Sequence, residues 1–98
     1  MVITIFGEPE SGKTTLARDF TKQKNTAWLA EGSRGLISPF WTYIFHVNEE
    51  TDFIVIDNIR ESEYLDLVKK FSEPKLEIHT PCKKSKIIDM PNLILIIN

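Results

Sequence analysis

The residues best suited to chemistry in this chain lie in one stretch, Gly7 to Thr15, which reads GEPESGKTT. Gly7, Gly12, Lys13 and Thr14 fall on the four fixed positions of the pattern G-x-x-x-x-G-K-[ST]. Each position answers a physical need of phosphate binding. Gly7 and Gly12 open backbone angles closed to other residues, so the loop between them can curl with its N–H groups turned inward. Those amides, from Gly7, Glu8, Pro9 (which has none to offer), Glu10, Ser11, Gly12, Lys13, Thr14 and Thr15, would line a concave anion site. A helix beginning near Gly12 adds the positive end of its dipole. Lys13 is expected to reach the β- and γ-phosphates of ATP, and the Thr14 hydroxyl to ligate Mg2+. Glu8 and Glu10 are an oddity, since they place carboxylates beside an anion site.

Such a loop works only between a strand and a helix. Val2 to Phe6 is a β-branched apolar run that leads into Gly7, and Lys13 to Lys24 follows as a helix with Leu16 and Phe20 expected on the sheet. Thr26 to Ala30 is expected as a second strand and Glu31 to Gly35 as a loop. Ser38-Pro39 should start a helix reaching Val47, its aromatics (Phe40, Trp41, Tyr43, Phe45) belonging to the core. Phe53 to Asp57 is apolar without alternation, which suits a parallel strand covered on both faces, and it ends in a carboxylate. An acid at that end of a strand beside a phosphate loop can share the magnesium ion with Thr14. Glu61 to Phe71 should form a helix with Tyr64, Leu65, Val68 and Phe71 inward. Leu76 to Thr80 and Lys86 to Ile88 should pair as a hairpin across a polar turn from Pro81 to Ser85. Leu93 to Ile97 is a second wholly apolar strand, ending in Asn98.

Composition excludes several classes. A 98-residue chain forms one small domain, and with 42% hydrophobic and 27% charged residues it is not a disordered polymer. Net charge −2 and pI near 5.6 give no global attraction to nucleic acid or to a membrane surface. A single cysteine, Cys82, allows no internal disulfide, and no apolar run approaches a membrane span. We therefore expect a soluble, intracellular, cytoplasmic protein without membrane contact.

The ordered set GEPESGKT, FIVID, a lysine-bearing hairpin and LILIIN resembles the motif series of the superfamily-three helicases of the AAA+ class. These include the replication initiators of small DNA viruses and some plasmids. The resemblance runs from Val2 to Asn98. It implies a three-layer α/β P-loop NTPase fold with a mostly parallel sheet, minimal and C-terminally truncated relative to that family. It implies ATP and Mg2+ as cofactors, Lys13 and Thr14 as phosphate and metal contacts, Asp57 as the second metal ligand, and Asn98 as the polar sensor of the attacking water. Lys83, Lys84 and Lys86 match the hairpin that the family uses against single-stranded or duplex DNA, by salt-dependent phosphate contacts. Plain solvation is the simpler explanation of three lysines in a polar turn.

The departures bear on activity. Where the family carries a second acid after the strand, this chain has Asn58, which can orient water and cannot take its proton. Glu61 is the nearest alternative carboxylate. Only Arg18, Arg34 and Arg60 are available as arginine fingers, so a finger would come from a neighbouring copy in a homo-oligomer. The strand Val2 to Phe6 would stand at an exposed sheet edge, to be covered by another copy or by a local element. Two functions from different classes follow: an ATPase of helicase or DNA-replication type, and a nucleotide-binding switch or assembly module with little catalysis. A small nucleotide or metabolite kinase shares the phosphate loop, but the sequence shows no arginine-rich lid.

Overall fold

The computed structural model describes residues 1–8 and 12–98. The three longest apolar runs become strands; two of them bury a continuous ladder of branched side chains that neither water nor a surface helix would accommodate, and the first is partly buried. They are β1 (Val2–Phe6), β3 (Phe53–Ile59) and β6 (Asn92–Ile97), and with β2 (Thr26–Leu29) they form one sheet in the order β1-β6-β3-β2. All of its pairings are parallel, with Ile3 opposite Ile94, Ile54 opposite Leu93 and Trp28 opposite Val55. β6 and β3, in the centre, carry the side chains with least exposure, among them Ile54, Val55, Ile56, Leu95 and Ile96 at 0%.

Two layers cover this sheet unequally. Among the described residues one face carries only α1 (Lys13–Phe20), whose Ala17 packs against Phe53, Val55, Ile94 and Ile96, with Ile3, Ile5 and Trp28 around them. On the other face a larger core joins Leu29, Ile54, Ile56, Leu93 and Leu95 to Leu36, Trp41, Val47, Leu67 and Phe71. Those residues come from a 3-10 helix (Gly32–Leu36), α2 (Trp41–Ile44) and α3 (Glu61–Lys70). An antiparallel hairpin of β4 (Lys75–Ile78) and β5 (Lys86–Asp89) completes that face through Ile78 and Ile88. The result is a three-layer α/β domain whose radius of gyration, 13.1 Å, matches the roughly 13 Å of a compact 100-residue chain. Among the described residues no helix is long and apolar enough to cross a membrane.

Several expected elements take a different form. α1 stops at Phe20, and the residues it turns to the sheet are Lys13, Ala17 and Thr21; Leu16 and Phe20, expected inward, are more than half exposed. The fully buried contact with the sheet is taken by the small Ala17, while Phe20 meets Phe53 edge-on. The helix expected from Ser38 to Val47 is a single turn, and the loop expected at Glu31 to Gly35 carries the 3-10 helix. The aromatics divide accordingly: Trp41 is buried and Phe45 packs on the core, whereas Phe40 and Tyr43 are exposed. In α3 Leu67 replaces Leu65 on the inward stripe, and Leu65 is 70% exposed.

Candidate functional site

The parallel sheet sends β1, β3 and β6 out of the core at the same edge, and that edge carries the polar residues of the three motifs. β1 delivers the chain to Gly7, which is exposed. Gly12 has φ +88°, a left-handed angle that a β-carbon disfavours, and it turns the chain into α1 by accepting the Leu16 N–H at 2.9 Å. Among the described residues no acidic side chain occupies the first turn of α1 and no side chain caps it, so its free N–H groups and dipole are uncompensated from within the helix. The expected contacts from Pro9, Glu10 and Ser11 lie outside the described residues. Lys13 is buried, and its Nζ donates to the Gly7 and Glu8 carbonyls at 2.6 Å each. The ammonium is thus folded back along the loop, its charge carried by backbone oxygens.

In the first turn of the same helix, the Thr14 hydroxyl donates to Asp57 Oδ2 at 3.0 Å. This contact joins residues 43 apart in sequence and brings the two expected metal ligands into direct touch. Asp57 Oδ1 accepts the N–H of Asn58 at 2.7 Å, so both oxygens of the carboxylate have a fixed direction. Thr15, the last residue of the stretch, is exposed.

Sequence periodicity gave no sign of how Asp57 and Asn58 leave the sheet. The β3–β6 ladder is regular through Ile56 opposite Leu95, breaks, and resumes with Ile59 opposite Ile97. Within the break Asn58 has φ +60°, a left-handed angle that asparagine tolerates better than most residues. Such an irregularity re-aims side chains that a continuous pleat would send into the core. Here it leaves Asp57 half-buried and Asn58 exposed. The Asn98 Nδ2 group then donates to Asn58 Oδ1 at 2.5 Å, so the two amides form a pair across the ends of neighbouring strands. With Oδ1 engaged, Asn58 presents its NH2 group outward and Asn98 its carbonyl oxygen.

Glu61, the carboxylate nearest to Asn58 in sequence, is exposed on the first turn of α3. The acid that the fold turns toward this side is Glu63. It accepts the Ser33 hydroxyl and, at 3.2 Å, the N–H of Arg60, while its own N–H donates to the Arg60 carbonyl at 2.9 Å. The Ser33 hydroxyl, followed by the Arg60 amide, holds the Glu63 carboxyl below its ordinary range.

The expected hairpin is present, with Lys83 and Lys84 exposed in its turn. Lys86 is, as the expected pairing has it, the first residue of β5, and it pairs with Glu49. Beside the hairpin lie residues whose position the sequence did not announce. The His79 N–H donates to Oγ1 of the wholly buried Thr42 at 3.0 Å, tying the hairpin to α2, and the exposed ring of Phe40 meets His79 edge-on at 6.4 Å.

Among the described residues no cluster of three or more His, Cys, Asp or Glu side chains is set to hold a metal. A Thr14–Asp57 pair is a smaller donor set, of the kind that binds Mg2+ only together with phosphate oxygens and water.

No protein-family model matches the chain, and no curated protein matches it. Among solved structures it is similar to the apo A form of the NrS-1 C-terminal region, with a TM-score of 0.73 at 17% identity. That match covers 100% of this chain and 24% of the other, so the chain spans about a quarter of that molecule's length. At this identity the likeness concerns the fold of the α/β domain.

Proposed function

We propose that the chain is a P-loop nucleotide-binding domain that takes ATP with Mg2+ between Gly7–Thr15 and Asp57, and that it acts as an ATPase of helicase or DNA-replication type. The observation that carries this reading is the 3.0 Å hydrogen bond from Thr14 to Asp57. A hydroxyl at the start of the helix and a carboxylate at the end of a central strand are the two protein ligands that a phosphate-bound magnesium ion needs. In the reading proposed, Lys13 exchanges the Gly7 and Glu8 carbonyls for the β- and γ-phosphates, and the first-turn amides of α1 bind phosphate oxygens. Mg2+ would neutralise charge that develops on the leaving phosphate. Asn98 offers its carbonyl oxygen to the attacking water, and Asn58 its NH2 group to a phosphate oxygen. The exposed Lys83 and Lys84 would supply the cations that a nucleic-acid strand requires.

Lys13→Ala tests this reading. It should abolish ATP·Mg2+ binding in calorimetry and phosphate release together; turnover that survives the substitution refutes the proposal.

A second reading, a nucleotide-binding switch with little hydrolysis, is favoured by the Asn58–Asn98 pair. Neither amide can accept a proton from water at this site. Tight ATP·Mg2+ binding without phosphate release, with or without single-stranded DNA, would select it.

A further inference from the structure

On the far side of Asn58 from the Thr14–Asp57 pair, between the 3-10 helix and the start of α3, lies a groove of about 600 Å3. That is within the range of roughly 300–1,000 Å3 occupied by small-molecule sites. It opens between the carboxyl ends of β2 and β3, the edge at which open α/β sheets hold their ligands. Its lining residues are all of polar type: Glu31, Ser33, Arg34, Asn58, Arg60, Ser62 and Glu63. Nothing in the proposed nucleotide site uses Arg34, Arg60, Ser33 or Ser62.

The charges there are unequally occupied. The Glu63 carboxylate is already bound by the Ser33 hydroxyl and the Arg60 N–H, and its work is to hold the first turn of α3 against the 3-10 helix. Among the described residues neither Arg34 nor Arg60 has a carboxylate within the 4.0 Å of an ion pair. Two arginines, each guanidinium a planar fork of donors suited to phosphate oxygens, therefore line one groove together with Ser62. Glu31, the remaining acid, is exposed and accepts only, which suits a neutral hydroxyl and repels a second phosphate.

We propose that this groove is a second anion site, taking a small phosphate monoester through Arg34 and Arg60 and a hydroxyl of the same molecule through Glu31. It goes beyond the nucleotide reading and can stand or fall apart from it.

The test is titration of the full 15N-labelled chain with AMP, with adenosine, and with inorganic phosphate, read by amide shifts. AMP and phosphate should move Ser33, Arg34, Asn58 and Ser62, AMP at the lower concentration, and adenosine should move none of them. In the Arg34→Gln/Arg60→Gln double variant the groove response should weaken at least tenfold, while ATP·Mg2+ still shifts Gly12 to Thr14. Lys13→Ala should show the converse. If AMP and phosphate shift only Gly12 to Thr14, or if the double variant binds as the parent does, the proposal is overturned. Should the double variant fail to fold, the AMP and adenosine titrations of the parent decide alone: equal shifts from both would overturn it.

Discussion

In the proposed ATPase, Asn58 is the residue on which hydrolysis would turn. It follows Asp57 where the resembling family carries a second acid, yet it is an amide, left-handed in backbone and bound through its oxygen to Asn98. Aspartate shares asparagine's tolerance of positive φ, so Asn58→Asp should fold. The new carboxylate would keep the Asn98 Nδ2 donor and gain a proton acceptor beside the water. We expect phosphate release to rise about 10- to 100-fold, the lower part of the range for a positioned general base, measured as single-turnover hydrolysis at saturating ATP·Mg2+. An unchanged rate would show that the base lies elsewhere. Asp57 behaves differently. Asp57→Asn keeps an acceptor for the Thr14 hydroxyl but removes the negative charge, so it should weaken ATP in the presence of Mg2+ and leave metal-free ATP binding nearly unchanged. Calorimetry with and without EDTA separates the two.

At the scale of elements, the 3-10 helix meets β3 at Gly32 and α3 at Ser33, and each contact makes a prediction. Gly32 has φ +62°, and a β-carbon there would lie 2.9 Å from the Asn58 carbonyl oxygen. Gly32→Ala therefore adds a strained angle to a backbone clash and should cost about 1–3 kcal/mol in urea unfolding. It should also disturb Asn58, which the same contact positions. The second point is Glu63. Its carboxyl is held below the ordinary range, chiefly by the Ser33 hydroxyl. A depressed folded-state pKa contributes stability that is fully present above the unfolded value and is lost as pH falls through the folded one. Glu63→Gln should thus lower stability at neutral pH by about 0.5–1 kcal/mol and flatten the acid limb of the stability curve below about pH 4.5. Equal acid sensitivity in parent and variant would contradict this. These same contacts explain what the sequence could and could not disclose. Phe53–Ile56 and Leu93–Ile97 were legible as buried parallel strands because their apolar runs admit no other environment. The Thr14–Asp57 contact followed, since both residues end elements that such a sheet brings to one edge. The break at Asp57–Asn58, the 3-10 helix and the exposure of Leu16, Phe20 and Leu65 were not legible. Each depends on how closely one element approaches another, and residue types alone do not encode that distance.

For the whole molecule the open question of assembly centres on β1. It pairs with β6 on one side, and among the described residues nothing pairs with its other side. The Leu93 N–H donates to the Met1 carbonyl, which fixes the parity of the parallel ladder: Ile3 and Ile5 bond toward β6, and Val2, Thr4 and Phe6 direct their N–H groups outward. Local elements give this edge little shelter. Thr4 shares a hydrogen bond with the Tyr64 hydroxyl at 3.1 Å and Phe6 meets the Tyr64 ring edge-on at 5.8 Å, both on the α3 face of the strand and neither along its edge. Val2 and Phe6 remain exposed, at 43% and 62%. An unpaired edge with apolar residues is a template for another strand. In hydrogen exchange at low concentration, the Val2, Thr4 and Phe6 amides should therefore exchange with little protection while Ile3 and Ile5 are slow. If assembly of copies covers this edge, raising concentration or adding ATP·Mg2+ should slow the first three amides and raise the mass in light scattering together. A rise in mass with Val2, Thr4 and Phe6 still fast would place the contact between copies away from β1, and slow exchange at all five residues in a proven monomer would mean that the chain itself closes the edge.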